Sequence, residues 1–199
     1  MKHAVVIAHP KPESLTCAAA QAYAEAARAL GDAVVVRDLY RMGFDPCLKA
    51  DEIPTTSGAR FAADVLAERA ELADVDVFCF VYPLWFNAPP AILKGYLDRV
   101  FSMGFGFGPG LGGTEPLLDG KKLISFSFSG APEQWVRDTG ALQALTTLLD
   151  SHVAGVCGLQ VLGHVHTGGV VPDMTEDAVG EVLEKVRATV RETFRDAIL

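Results

Sequence analysis

Five short apolar runs, rich in β-branched and aromatic residues, alternate along this chain with longer segments of helical period, and few architectures accept that alternation. The runs Ala4 to Ala8, Val34 to Arg37, Val77 to Tyr82, Leu123 to Phe128 and Val156 to Leu162 predict strands. Most are continuously apolar, as strands covered on both faces must be. The exception is Leu123 to Phe128, whose Ile-Ser-Phe-Ser-Phe alternation predicts one face against a different layer.

Between the strands, Leu15 to Leu30 carries alanines at helical spacing and stops at Gly31, a residue suited to a left-handed cap. Further helices are predicted over about Arg60 to Ala73, from Asn87 with Pro89 and Pro90 in the first turn, from about Val136 to His152, and from near Asp173. The third of these predicts Ile92, Leu93, Tyr96, Leu97 and Val100 inward, with Lys94, Asp98 and Arg99 outward. Tyr40 to Gly58 and Ser102 to Gly120 are left as long connections, which in a compact domain are usually functional.

The order βαβαβαβαβα predicts an α/β fold: a flavodoxin-like, doubly wound, five-stranded parallel sheet in a three-layer sandwich, strand order 2-1-3-4-5. The 199 residues, half of them hydrophobic, suffice for one such domain over 1–199. In this architecture ligands bind beyond the carboxyl ends of strands one and three, where the chain direction reverses. Three loops converge there: His9 to Thr16, Pro83 to Asn87, and Ser129 to Gln134.

In the first loop, Ser14 and Thr16 offer hydroxyls, His9 a ring N–H, and the start of the helix its free amides, a set that suits a phosphate. Taken alone, the same residues also read as a turn and a helix cap. The second loop leaves a buried strand yet shows Trp85 and Phe86 side by side, which suits a wall for a flat ring as well as a plug for the sheet end. The third, Phe128-Ser129-Gly130-Ala131, is small enough for backbone to approach a ligand, with Trp135 close by. A phosphate cradle at one end and an aromatic-walled slot at the other fit a flavin.

Other chemistries are disfavoured. A formal charge of −8 leaves no basic stripe for a nucleic acid backbone. Cys17, Cys47, Cys79 and Cys157 are scattered without metal or disulfide spacing, and His164 and His166 have no neighbouring ligand, so no metal site is predicted. The apolar run at the start is too short for a membrane span or a signal peptide, and a cytoplasmic location is expected. Gly104 to Gly110 is glycine-rich but follows a helix rather than the first strand, outside the context of a dinucleotide fingerprint.

The stretch from Tyr82 to Phe101, Y-P-L-W-F-N-A-P-P-A-I-L-K-G-Y-L-D-R-V-F, closely resembles a motif of the NAD(P)H:quinone oxidoreductase family, the flavodoxin-like reductases that include DT-diaphorase and the modulator-of-drug-activity proteins. Ala8-His9-Pro10 through Ser14 resembles its phosphate loop, and Asp38-Leu39-Tyr40 a further family element. The resemblance spans nearly the whole chain. It implies a homodimer with a flavin at its interface, FAD or alternatively FMN, reduced by NAD(P)H and reoxidised by a quinone-type acceptor. It places His9, Ser14, Leu15 and Thr16 at the phosphates, and Pro83, Leu84, Trp85, Phe86 and Asn87 on one side of the ring, with Phe128, Ser129, Gly130 and Ala131 on another. The family's T-T-G-G loop is here Phe128 to Ala131, and its tyrosines after the third helix are replaced by Phe107 and Pro109. The family's Tyr and His that assist hydride transfer have no clear counterparts, and Phe107 and Trp135 stand as candidates to flank the reacting rings. A flavin-binding regulatory subunit of a potassium-efflux system and a single-electron carrier are the rival readings.

Overall fold

The computed structural model describes residues 1–55 and 58–195. Its strands in chain order are β1 (Lys2–Ile7), β2 (Ala33–Asp38), β3 (Val77–Pro83), β4 (Phe107–Gly110), β5 (Gly113–Pro116), β6 (Lys122–Phe128) and β7 (Gln160–Thr167). The helices are α1 (Leu15–Ala29), α2 (Ala63–Leu72), α3 (Ala91–Val100), α4 (Glu133–Asp138), α5 (Ala141–Leu145), α6 (His152–Cys157) and α7 (Glu176–Phe194). A 3-10 turn at Ala50–Glu52 precedes α2, and a π turn at Thr146–Ser151 joins α5 to α6.

Five strands pair in parallel in the order β2-β1-β3-β6-β7. The expected order counted no strand between the third and fourth. The structure adds the antiparallel hairpin β4–β5 there, inside the connection expected to be irregular. Its first strand, Phe-Gly-Pro-Gly, carries none of the β-branched residues that announce a strand, and its second has only Thr114.

β3 is buried along its whole length, and the strand pleat divides its side chains between two cores. Phe78, Phe80 and Tyr82 join Leu93, Tyr96 and Leu97 of α3 on one face. Val77, Cys79 and Val81 meet the alanines of α1 and Val186, Val190 and Phe194 of α7 on the other. Each face is covered by helix, which is why the strand reads as a continuous apolar run.

Several boundaries differ from expectation. The helix expected from Val136 to His152 is interrupted at Gly140, whose φ of 75° ends α4 and starts α5. Helical structure then continues to Cys157, so the last strand begins at Gln160 rather than Val156 and runs to Thr167. α7 is capped by Thr175, which accepts from the Ala178 amide at 3.2 Å, two residues after the expected start. Asn87 does not cap α3, which begins at Ala91 after Pro90. Phe86 and Asn87 instead take φ of 52° and 56° in a tight turn closed by paired Trp85–Ala88 backbone hydrogen bonds of 3.0 and 3.1 Å.

Arg99 is the clearest reversal. It was expected outward on α3 beside Lys94 and Asp98, but it is 1% exposed. Its guanidinium grips Glu52 through two bonds of 2.7 and 2.9 Å, Asp64 through bonds of 2.8 and 3.0 Å, and the Asp45 carbonyl at 2.6 Å. One side chain thus ties α3 to the 3-10 turn, the start of α2 and the loop after β2. The Arg99 bonds hold the Glu52 carboxyl down at about 2.

Candidate functional site

A cleft opens at the carboxyl ends of β1, β3 and β6. Its wall comes from the three loops that follow those strands: His9, Ser14, Leu15 and Thr16 from the first, Pro83, Leu84 and Trp85 from the second, Phe128, Ser129 and Gly130 from the third. Val170, in the connection from β7 to α7, completes the wall and was not foreseen, because nothing in Gly-Gly-Val-Val marks it as a ligand neighbour. The chain crosses from β1 to β2 on one side and to β3 on the other, so the cleft lies at the switch point of the sheet.

The end of the cleft at the first loop is rich in donors. Ser14 caps α1 by accepting from the Cys17 amide at 3.2 Å, and its own hydroxyl hydrogen stays free to donate. The Leu15 and Thr16 amides open the helix, whose first turn holds no acidic side chain. The Lys11 amide lies 3.1 Å from His9 Nδ1, which places the ring hydrogen on Nε2 when that amide donates. Burial pushes the His9 imidazole below its ordinary pKa, which favours the neutral donor form.

The opposite end is shaped by backbone and aromatic groups. Leu84 is pinned by its amide to the Phe128 carbonyl at 2.6 Å, which joins the second loop to the third. Trp85, 44% exposed, lies 5.9 Å from the His9 ring, so the aromatic wall reaches the donor-rich end. The Ser129 amide and carbonyl are held by Thr167 and Val170, but the Gly130 and Ala131 amides have no partner among the described residues. Neighbouring Gly168 could carry no side chain, since a Cβ there would lie 2.2 Å from the Glu133 nitrogen, and this close packing fixes the third loop. The cleft encloses about 180 Å³, below the usual range of about 300–1,000 Å³ for a ligand-sized pocket, so a larger ligand would be partly uncovered.

Five expected site residues do not line the cleft. Phe86 projects fully into solvent at the turn tip, and Asn87 lines an apolar groove with Pro89, Leu145 and Leu148. Ala131 packs toward the core, and its carbonyl accepts from the Ser129 hydroxyl and the Gly169 amide. Phe107 lines a second part of the groove with Leu97, Phe101 and Val153, because β4 carries it away from the sheet end. Trp135, 49% exposed, sits in α4 directly after the third loop without lining the cleft.

Residues 1–190 match a protein family described by its flavodoxin-like fold. The chain belongs to this flavodoxin-like family. An uncharacterized NAD(P)H oxidoreductase of Haemophilus influenzae is 31% identical over 172 residues, 83% of this chain and 85% of its own. The ribosyldihydronicotinamide dehydrogenase [quinone] of Rattus norvegicus is 29% identical over 181 residues, 79% of this chain and 77% of its own. Among solved structures, an NAD(P)H:quinone oxidoreductase from Methanothermobacter marburgensis superposes with a TM-score of 0.86 at 26% identity, covering 96% of this chain and 98% of that one. These relatives uphold the resemblance read from Tyr82 to Phe101.

Proposed function

We propose that this chain is a flavin-dependent NAD(P)H oxidoreductase that passes two electrons as hydride to a quinone or similar small acceptor. The observation that carries the reading is the convergence, at one switch point, of a phosphate-type donor cluster and an aromatic-walled slot edged by free amides. A flavin fits these residues. Its phosphate suits the Leu15 and Thr16 amides, the Ser14 and Thr16 hydroxyls and His9 Nε2; its acceptor-rich ring edge suits the Gly130 amide, and its ring face suits Leu84 and Trp85. Both FAD and FMN meet those requirements.

When bound, the flavin supplies the hydride chemistry, and the chain supplies orientation and donors around it. Trp135, in α4 just after the third loop, would extend the wall where nicotinamide and acceptor enter in turn. Phe107 is assigned instead to contact between copies.

A second copy of this chain is the occupant proposed for the groove beside the cleft. Ala144, Leu145, Leu148 and Leu149 of the α5–α6 segment face α3 and the Asn87–Pro89 turn there, and Leu148 is 71% exposed. An apolar strip of that kind is stabilised by burial. Its edge is the loop that also carries Trp85, so a partner seated there would stand next to the partly uncovered cleft.

Gly130→Leu tests the flavin assignment. A Cβ at Gly130 meets only the Val170 carbonyl oxygen at 3.6 Å, so the fold accepts it while the rest of the side chain enters the cleft. The expected result is at least a roughly tenfold loss of FMN or FAD affinity by fluorescence titration, with Tm changed by no more than about 3 °C. Unchanged affinity, or a parent protein that takes up neither flavin at micromolar concentration, would overturn the assignment.

A further inference from the structure

The serines at 125, 127 and 129 alternate along β6 and its end, and His164 and His166 alternate along β7 beside them, with Ser125 opposite His164 and Ser127 opposite His166. All five residues share one face of the sheet. Asp150 of the π turn closes the group: it accepts from Ser125 Oγ at 2.6 Å and lies 2.6 Å from His164 Nδ1. His164 Nε2 is 2.7 Å from Ser127 Oγ, Ser127 Oγ is 2.9 Å from His166 Nδ1, and His166 Nε2 is 3.1 Å from Ser129 Oγ. Ser129 lines the cleft, and His164 lines an open depression with Arg137, Leu142, Gln143 and Thr146.

Hydrogen counting gives this chain a direction. The Ser129 hydroxyl has one hydrogen and donates it to the Ala131 carbonyl at 2.9 Å, so His166 Nε2–H donates to Ser129. Burial lowers the His166 pKa and favours its neutral form, so Nδ1 accepts from the Ser127 hydroxyl. Ser127 must then accept from His164 Nε2–H. One more proton lies in the 2.6 Å contact between His164 Nδ1 and Asp150.

We infer that Asp150, His164, Ser127, His166 and Ser129 form a proton relay from the depression at His164 to the cleft. The inference rests on the oxidoreductase reading for its purpose. Reduction of a quinone by NAD(P)H moves a hydride from the nicotinamide and consumes one further proton: NAD(P)H, quinone and H⁺ yield NAD(P)⁺ and hydroquinone. In the relay the His164 Nε2–H bond breaks as a Ser127 O–H bond forms, and the Ser127 hydrogen passes to His166 Nδ1. The His166 Nε2 hydrogen passes to Ser129, and the Ser129 hydrogen, leaving the Ala131 carbonyl as the hydroxyl turns, passes into the cleft that Ser129 lines. The Asp150–His164 pair recovers its proton from solvent at the depression. Ser127, His164 and His166 are positioning residues, and Ser129 is the group that meets the cleft. The charged and titratable groups facing the pair of histidines are Glu133 and Arg137 of α4, Lys185 of α7 and Tyr82 of β3. Tyr82 Oη is the buried side-chain polar atom without a hydrogen-bond partner among the described residues, and its ring stands perpendicular to His164 at 6.3 Å.

The test is ¹⁵N NMR of the imidazoles in ¹⁵N-histidine-labelled protein, with and without FMN, across pH 5 to 9. The expected result at neutral pH is His166 as the Nε2–H tautomer, with both His164 nitrogens carrying or sharing a proton, and linked titrations of the two rings. Ser127→Ala should separate those titrations, lower quinone turnover at least roughly tenfold and make the rate depend on the concentration of an imidazole buffer, while Ser127→Thr restores it. A neutral His164 with an Nδ1–H tautomer at His166, or rings that titrate independently in the parent protein, would overturn the relay. So would a Ser127→Ala protein with unchanged turnover and no buffer dependence. Should that variant not fold, the parent titration decides alone. Failure of NAD(P)H to reduce the flavin would strike the oxidoreductase reading and leave the NMR result to judge the network.

Discussion

Replacing Arg99 with methionine is expected to remove about 3–5 kcal/mol of stability at pH 7, among the largest effects available to a single substitution here. The reason lies in what the guanidinium leaves behind. Glu52 is 1% exposed, and among the described residues it keeps, without Arg99, only the Lys49 and Ala62 amides at 3.1 and 3.3 Å as partners for a buried negative charge. Asp64, nearly half exposed, can return to solvent at little cost, so the penalty belongs to Glu52. At a slope of about 2 kcal/mol per molar urea the midpoint should fall by roughly 1.5–2.5 M.

The pH dependence has a definite sign. The Glu52 carboxyl is held at about 2 in the folded protein, against roughly 4.3 in an unfolded chain. Its contribution is therefore complete above about pH 4.3 and is lost as pH falls toward 2. The difference between parent and Arg99→Met should narrow over that window. Urea unfolding followed by tryptophan fluorescence at pH 7 and pH 3 measures both quantities. A loss below about 1 kcal/mol at pH 7 would show that Glu52 finds another way to be satisfied.

Leu148→Glu is expected to turn a dimer into a monomer. Leu148 is 71% exposed yet lines both parts of the groove between α3 and the α5–α6 segment, so its truncation should matter little to the lone chain. In a two-fold contact the same patch meets itself, and each copy would bury a carboxylate in an apolar strip whose lysine, Lys94, is already paired with Asp98. That penalty is several kcal/mol, or at least about a hundredfold weaker association. Light scattering of the parent at micromolar concentration should report a dimer and the variant a monomer, with flavin affinity reduced because the cleft loses its neighbour. A flavin-loaded parent that is already monomeric would remove the proposed partner.

What the sequence made legible was whatever depends on local pattern. Strands covered on both faces give continuous apolar runs, and β1, β3 and β6 were placed within a residue or two. The loops after them stood out because Trp85 and Gly130 are unusual residues at strand ends, and both line the cleft. What stayed hidden depends on partners distant in the chain. Arg99 read as a solvent-facing charge because its carboxylates lie 35 and 47 residues away. Phe107 read as a site residue because it stands where the resembling family has a tyrosine, and β4 carries no local strand signal to show its removal to the groove. The His164–His166 alternation was noticed as a metal pattern. Its real partners, Ser127 and Ser129, were visible only as an odd polar alternation in an otherwise apolar strand.

The central claim is that the cleft holds a flavin able to accept hydride from a nicotinamide. The direct measurement is anaerobic titration of the FMN- or FAD-loaded protein with NADH and with NADPH, followed by the flavin absorbance near 450 nm. Full bleaching by one equivalent of at least one nicotinamide, then full recovery on adding one equivalent of a simple quinone, is the predicted result. A flavin that neither nicotinamide bleaches, but that takes single electrons from a partner reductase, would contradict it.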